Sequence, residues 1–347
     1  MNFWYNNKII DIFIISILLS SAAIGAAQQK KLWTGNIYFE NDLFTETDQN
    51  YTNGIKFSLV SPNLQSFEED DQLPDWFTHI NQQLTFFHPK IKVNHNIVIS
   101  FAQVMYTPED IDSKTLIEDQ RPYAGWLYFG TAYHARSEHQ LDTIELNLGV
   151  VGPLALAHET QDFIHDLRGL EKSNGWDNQL KNEPGLIALY EHKHKFISQT
   201  ANYGIGYDVI LHAGGAVGNV ATYLNTGFSV RGGWKIPDDF GTSSVRPGGD
   251  NSAPGKGWVL NNGFGIHMFA SVDSRFVIRD IFLDGNTFRD SHSVDKELWV
   301  ADASVGLSVT VENVKISFAR VFRTREFKKQ PHSHSYGSLS ISFWQFF

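Results

Sequence analysis

Apolar and polar residues alternate along most of this chain. Between Asp142 and Val150, the apolar Ile144, Leu146, Leu148 and Val150 are interleaved with Thr143, Glu145, Asn147 and Gly149. Ile55, Phe57 and Leu59 alternate with Gly54, Lys56 and Ser58, and Tyr203, Ile205, Tyr207, Val209 and Leu211 with smaller or polar residues. Successive side chains of a strand point to opposite faces, so a period of two marks strands with one apolar and one polar face. The pattern predicts strands near 33–41, 51–59, 96–106, 124–134, 140–151, 185–195, 200–212, 218–232, 260–279, 297–311, 313–323 and 335–347. That is about 12, an even number, as a single-chain bacterial barrel requires. The span 260–279 reads equally as one strand or two short ones. The predicted class is all-β: a closed antiparallel transmembrane barrel.

The end of the chain fits that class. Leu339, Ile341, Phe343 and Phe347 share one strand face, with Ser338, Ser340 and Ser342 opposite. A final alternating strand ending in an aromatic is similar to the assembly signal of outer-membrane barrels, although Gln345 departs from the usual apolar choice. The alternative is an ordinary edge strand, whose exposed aromatics would invite aggregation unless the sheet closes. With both ends periplasmic, the outer loops fall near 42–50, 107–123, 152–184, 213–217, 280–296 and 324–334. The connections 60–95 and 233–259 fall on the periplasmic side, where they are long; 74–87 reads as a short helix. Leu156, Phe163, Ile164 and Leu167 have helical spacing inside the longest outer loop. They predict a helix over about 155–168 that packs on the barrel rim, stopped by Gly169, with a further turn at Trp176–Leu180.

Composition narrows the class. The mean hydropathy of −0.25 is that of a soluble protein, but alternating strands hide from such averages. Glycine at 28 residues and aromatics at 14% suit β-structure. The absence of cysteine removes disulfides, thiolate metal sites and cysteine nucleophiles together. A formal net charge of −10 argues against a nucleic-acid partner. Residues 1–27 read as a secretion signal: Lys8, an apolar run from Ile12 to Leu19, then small residues with Gly25 and Ala27 placed for cleavage after Ala27. The alternative is a retained helical anchor, for which the apolar run is short. The barrel domain is then 28–347.

Two places carry candidate chemistry. His158, Gln161 and His165 lie at i, i+3 and i+7 on the predicted loop helix, one face of which could present a general base or a metal ligand. Glu40, Asn41 and Asp42 end the first strand, and Asp48, Tyr51 and Thr52 follow as the chain returns. Such oxygens suit a hard cation like Ca²⁺, and equally a polar hairpin loop. No Gly-x-Ser-x-Gly elbow or glycine-rich phosphate loop is present, so a serine nucleophile has no local signature.

Three motifs carry a family resemblance: Glu40-Asn41-Asp42-Leu43-Phe44 with Thr47-Asp48-x-x-Tyr51-Thr52-Asn53-Gly54; Arg121-Pro122-Tyr123-Ala124-Gly125-Trp126; and Gly149-Val150-Val151-Gly152-Pro153. The last continues through Gln161, His165, Gly169, Gly175-Trp176-Asp177-x-Gln179-Leu180 and Asn182-Glu183-Pro184-Gly185. The chain resembles the lipid A 3'-O-deacylases, the LpxR-like outer-membrane proteins of Gram-negative bacteria, over nearly the whole mature length. The resemblance implies a 12-stranded barrel with its active site between the wall and an outer-loop helix, acting as a monomer on lipid A of lipopolysaccharide. It implies Ca²⁺-dependent hydrolysis of the 3'-linked acyloxyacyl ester. His165 is then the base that activates water, with Asn41, Thr52 and Gln161 as the other catalytic residues and Asp42 and Glu171 on the metal. Gln120 departs from the family's usual Asp before Arg-Pro-Tyr, and a lysine of the family has no clear counterpart, Lys114 being near but offset. A non-enzymatic barrel that binds lipopolysaccharide, acts as a scaffold or forms a channel would need the same strands without these residues.

Overall fold

The computed structural model describes residues 32–42, 50–64, 66–67, 75–85, 88, 94–241, 249 and 263–346. The predicted signal segment 1–27, Asp48 and Phe347 lie outside them, as does the side chain of Thr52. The described residues form twelve strands: β1 (Leu32–Asn41), β2 (Asn50–Val60), β3 (Asn94–Thr107), β4 (Ala124–Arg136), β5 (Gln140–Val151), β6 (Glu183–Thr200), β7 (Ile205–Gly218), β8 (Ala221–Trp234), β9 (Phe264–Asp280), β10 (Trp299–Val311), β11 (Val314–Arg323) and β12 (His334–Phe346). Each pairs antiparallel with its sequence neighbours, and β1 pairs with β12, so the sheet closes. Closure leaves no edge, the condition for a sheet to stand in lipid. No helix among the described residues is long and apolar enough to cross a membrane.

Two faces follow from the period of two. One cross-strand row runs Ile37, Phe57, Phe101, Phe129, Leu148 and Leu186 through successive register partners. Phe57, Phe101, Phe129, Leu148 and Leu186 are all exposed, so this row faces outward. The alternate residues face the lumen and are buried; many are polar, among them Asn36, Lys56, Ser58, Ser100, Asn147 and Glu191, while others such as Val104, Trp126 and Tyr128 form an apolar cluster. Asn36 donates to Ser58 Oγ at 3.0 Å, Asn147 to Glu145 at 2.8 Å and Asn225 to Glu191 at 3.0 Å. Hydrogen-bonded polar side chains thus line part of the lumen of the described barrel.

Three connections at one end are short, at 137–139, 201–204 and 312–313. Barrels of this kind carry short turns on the periplasmic side and long loops outside, so the end bearing 152–182 is the outer one. The two long periplasmic connections have separate tasks. The first includes helix α1 (Asp75–Gln83), where Asn81 accepts a 2.7 Å hydrogen bond from Tyr133, and Leu64 and Phe67 pack with Ile97 and Tyr133. The second carries Pro237–Gly241 into the lumen. Asp239 lies between Arg231 and Lys315, Arg231 also donates to Asp208 at 2.8 Å, and Phe240 packs on Leu141 and Ile210. Asp238 holds Lys195 at 2.6 Å.

The predicted strands recur with small shifts, and 264–280 is one strand. The β7–β8 connection differs: the expected loop 213–217 lies inside β7, and only 219–220 link the strands. Within that span, Gly214 and Gly215 are glycines of close strand approach. A Cβ on Gly214 would sit 2.4 Å from the Tyr190 carbonyl oxygen, and one on Gly215 2.8 Å from that of Tyr223. The predicted strand 200–212 likewise contains a turn, where Tyr203 takes a left-handed φ of 70°.

Removing Arg231 would leave Asp208 as a buried, uncompensated carboxylate and Asp239 with Lys315 alone. Arg231→Ala should therefore cost about 3–5 kcal/mol. The temperature at which the compact, heat-modifiable gel species is lost should fall, while Arg320→Ala, at an exposed site, should leave it in place.

Candidate active site

The outer-loop helix, α2 (Ala157–Arg168), carries two of the expected residues, Gln161 and His165, on its buried face. It begins later than predicted. A 3-10 turn over Pro153–Ala155 precedes it, and Leu156 takes a left-handed φ of 57° between the two. Gly152, at φ 100°, makes this loop possible, since a Cβ there would lie 2.6 Å from the Lys181 carbonyl carbon. Gly169 ends the helix at φ 68°, and the Leu170 N–H turns back onto the His165 carbonyl at 2.9 Å. Glycine is favoured here because it adopts this conformation without a Cβ penalty.

The buried face of α2 is Ala157, Gln161 and His165. This corrects the expected packing face. Phe163 and Leu167, predicted to pack on the rim, are exposed, as is Leu156 before the helix. Ala157 packs with Met105, Tyr123 and Trp176. A Cβ on Gly125 would come within 2.4 Å of Ala157 Cβ, so only glycine admits the helix this close. Gln103 donates to the Ala155 carbonyl at 2.6 Å.

Met105 and Gly125 belong to a second outward row. Asn41 pairs with Asn53, Asn53 with Met105, and Met105 with Gly125. Each lies four residues beyond its counterpart in the row Ile37, Phe57, Phe101, Phe129, so the row sits about 13 Å nearer the outer end. Asn41 and Asn53 are polar residues with the parity of the lipid-facing side, yet they are buried. Sequence reasoning quoted Asn53 in a motif but gave it no role; the available signal was its even spacing from Phe57. Thr52 is the extra residue of a bulge, since Tyr51 pairs with Tyr106 and Asn53 with Met105. Bulges recur beside active sites.

Two contacts fix the polar groups of α2. Trp176 Nε1 donates to Gln161 Oε1 at 2.7 Å, which gives the Gly-Trp-Asp motif its structural meaning. His165 Nδ1 lies 2.5 Å from the Glu171 carbonyl oxygen. A carbonyl can only accept, so Nδ1 carries the proton and the basic lone pair of the neutral ring is at Nε2. Glu171 acts here through its backbone, and its side chain is exposed. His158, on the flank, stacks on Trp176 with centroids 5.6 Å apart and lies 3.7 Å from Asp162.

A calcium site needs several converging oxygens. Asp42 is wholly buried at the end of β1 beside Asn41, and Glu171 is exposed. Among the described residues no group of three or more His, Asp or Glu is placed to hold a metal. Lys114 is exposed, with its carbonyl accepting from Asn178 at 3.0 Å. Gln120 is a loop-folding residue: its side chain accepts from the Asp110 N–H at 3.0 Å and its carbonyl meets His292 at 2.8 Å.

The remaining motif residues lock the outer loops together. Arg121 is fully buried, bonds Glu326 at 3.0 Å and lies over the Tyr106 ring at 4.3 Å. Burial pushes the Glu326 carboxyl up, but Arg121 and Arg323 outweigh it and hold the group at about 2. Glu183 accepts from the Thr287 N–H at 3.0 Å and from Asn286 at 3.0 Å, tying β6 to the β9–β10 loop.

The chain matches the family model described as outer membrane protein LpxR over residues 12–346. Among solved structures it is similar to LpxR from Salmonella typhimurium, with a TM-score of 0.69 and 19% identity over 89% of this chain and 99% of that one. The β domain of the Bordetella autotransporter Brka follows with a TM-score of 0.42 and 7% identity, over 91% and 99%. No curated protein matches by sequence.

Two outcomes test the geometry. Gly125→Val should lift α2 off the wall and speed tryptic cleavage after Arg168, while the barrel keeps its heat-modifiable migration. The Glu326 lock contributes stability above the ordinary carboxylate range and loses it as pH falls through the depressed folded value. Amide protection in 324–330 should accordingly survive acidification until the pH nears about 2, and Arg121→Ala should make it fail at higher pH.

Proposed function

The chain belongs to the family of outer membrane protein LpxR, and on that premise we propose that it is an outer-membrane lipid A deacylase that hydrolyses the 3'-linked acyloxyacyl ester. The observation that carries this reading is the fixed His165 ring on the wall-facing side of α2, with its Nδ1 committed to the Glu171 carbonyl. That arrangement orients an imidazole as a general base. The row Asn41–Asn53 on the outward side of the outer rim supports a substrate that arrives from the lipid leaflet. Wall and helix come from one chain, which supports an enzyme that acts as a monomer.

In the reaction, His165 Nε2 takes a proton from water, and the hydroxide attacks the ester carbonyl carbon. The Asn41 side-chain amide donates to the oxyanion, and Thr52 is the other polar residue proposed for this step. Collapse of the adduct breaks the bond to the sugar oxygen, which takes the proton back from His165. The products are the free acyloxyacyl acid and a sugar hydroxyl. Gln161, held by Trp176, positions the helix rather than the proton. Ca²⁺ is the proposed cofactor; Asp42 would hold it, and when bound it supplies positive charge beside the oxyanion.

His165→Gln keeps size but cannot take the proton, and should lower deacylation by about 10²–10⁴-fold in a normally folded barrel. Mass spectrometry of lipid A from expressing cells reads this directly. His158→Ala should remain near wild type, because His158 sits on the flank. Trimming that survives in His165→Gln would remove it as the base, and a wild type that trims nothing would leave a binding or scaffold barrel. Chelation should abolish activity, Ca²⁺ should restore it, and Asp42→Asn should mimic the chelated state; full activity in excess chelator would dismiss the cation.

A further inference from the structure

Helix α2 has its polarity inverted. Its wall-facing residues, Gln161 and His165, are polar and buried. Its exposed residues include Phe163 at 69% and Leu167 at 74%, with Leu156 at 50% immediately before it. At about 100° per residue Phe163 and Leu167 lie on one stripe on the side away from the wall, and the exposed Leu156 precedes them at the start of the helix. Leu154 and Leu170, at either end of the loop, are exposed as well. The acidic groups gather on a separate flank, where Lys172 bridges Asp162 at 3.2 Å and Asp166 at 3.0 Å. The helix therefore has three sides: wall, polar flank and apolar stripe.

The barrel supplies the context for the stripe. Gly125, where α2 touches the wall, is four residues outward of Phe129 on the same face of β4. Phe129 and its partner Phe101 belong to the exposed apolar row that faces lipid. The helix thus stands at the outer border of the lipid belt, and its stripe continues the belt away from the wall. In water, such a patch would be an association hazard; a helix with an apolar face and a charged flank at a bilayer boundary lies in the interface.

We propose that the α2 stripe of Phe163 and Leu167, with Leu156 at its start, is a lipid-docking surface, seated among the acyl chains of the outer leaflet, with the Asp162–Asp166–Lys172 flank in the headgroup layer. The occupant is the bilayer's hydrocarbon. The loop helix is then an interfacial anchor that keeps its wall-facing side closed against the barrel. This reading rests on the fold and not on the hydrolytic chemistry, so it stands or falls separately from the deacylase activity.

The cysteine-free sequence allows a direct test. Single variants Phe163→Cys, Leu167→Cys and Asp166→Cys would carry a nitroxide label in the whole barrel, reconstituted in phosphatidylcholine vesicles. Phe129→Cys marks the lipid belt and Tyr203→Cys marks water. Collision with oxygen relative to a water-soluble nickel complex reads the surroundings of each label. The ratio at 163 and 167 should match that at 129 and exceed that at 166 and 203 several-fold. Ratios at 163 and 167 equal to those at 166 and 203 would overturn the proposal. Ratios low against both probes would overturn it too, since they would mean that protein covers the stripe. Heat-modifiable migration checks each variant for folding, and Leu156→Cys replaces any position whose label prevents it.

Discussion

A polar side chain on the lipid-facing side of a barrel has no water to bond, and leaving an amide there costs roughly 1–3 kcal/mol or more. Asn41 and Asn53 stand in that position, in register, four residues outward of the aromatic row, and both are buried. Helix α2 seats on Met105 and Gly125, which continue the same row on β3 and β4. The longest loop folds back as a helix, Gly125 lets the helix reach the wall, and Gln103 and Met105 meet its first turn. The same helix brings a histidine and a glutamine to a boundary where a barrel would otherwise present only apolar residues.

Covering a site with a loop helix is useful only if the helix stays in place, and isolated helices of this length are marginal. Its neighbours supply the rigidity. Trp176 is held between Tyr123 and His158 and bonds Gln161. Tyr123 follows Arg121, whose buried pair with Glu326 joins the β3–β4 loop to the β11–β12 loop. Glu183 and Lys181 bind the backbone and side chains of the β9–β10 loop, and His292 returns from there to Gln120. The outer loops thus form one network around α2, and the motif residues with no chemical role are its joints. At the other end Asp238, Asp239 and Phe240 close the lumen by a similar exchange of buried charges.

The strands were legible because a period of two has one structural meaning, and Gly169 as a helix stop is read from the same local rules. The β7–β8 turn was not legible in this way, since glycine serves both turns and close strand contacts, and only the neighbours of Gly214 and Gly215 separate the two. For the candidate site, the residues were visible as motifs, but the route from residue to role was not. Glu171 was expected on a metal, yet it reaches His165 through its carbonyl, which no side-chain pattern encodes. The insertion of Pro237–Gly241 into the lumen was equally hidden, because its partners Arg231 and Lys315 lie on distant strands.

The helix shows why periodicity alone misled. Leu156, Phe163 and Leu167 marked an apolar face, and in a soluble protein that face turns inward. Here polar residues take the wall and the apolar face is left exposed, which the proposed seating in lipid explains. The sign of the amphipathic pattern is therefore set by what surrounds the helix, not by the pattern. This inversion also suits ester hydrolysis at a membrane surface. The reaction needs water and a base beside an acyl chain that lies in hydrocarbon. A helix that meets hydrocarbon on one side and holds His165 against a polar rim on another places both media within its own diameter, about 10 Å. A soluble helix with a buried apolar face could not do so, since its base would point to bulk water and the acyl ester would have to leave the leaflet to reach it.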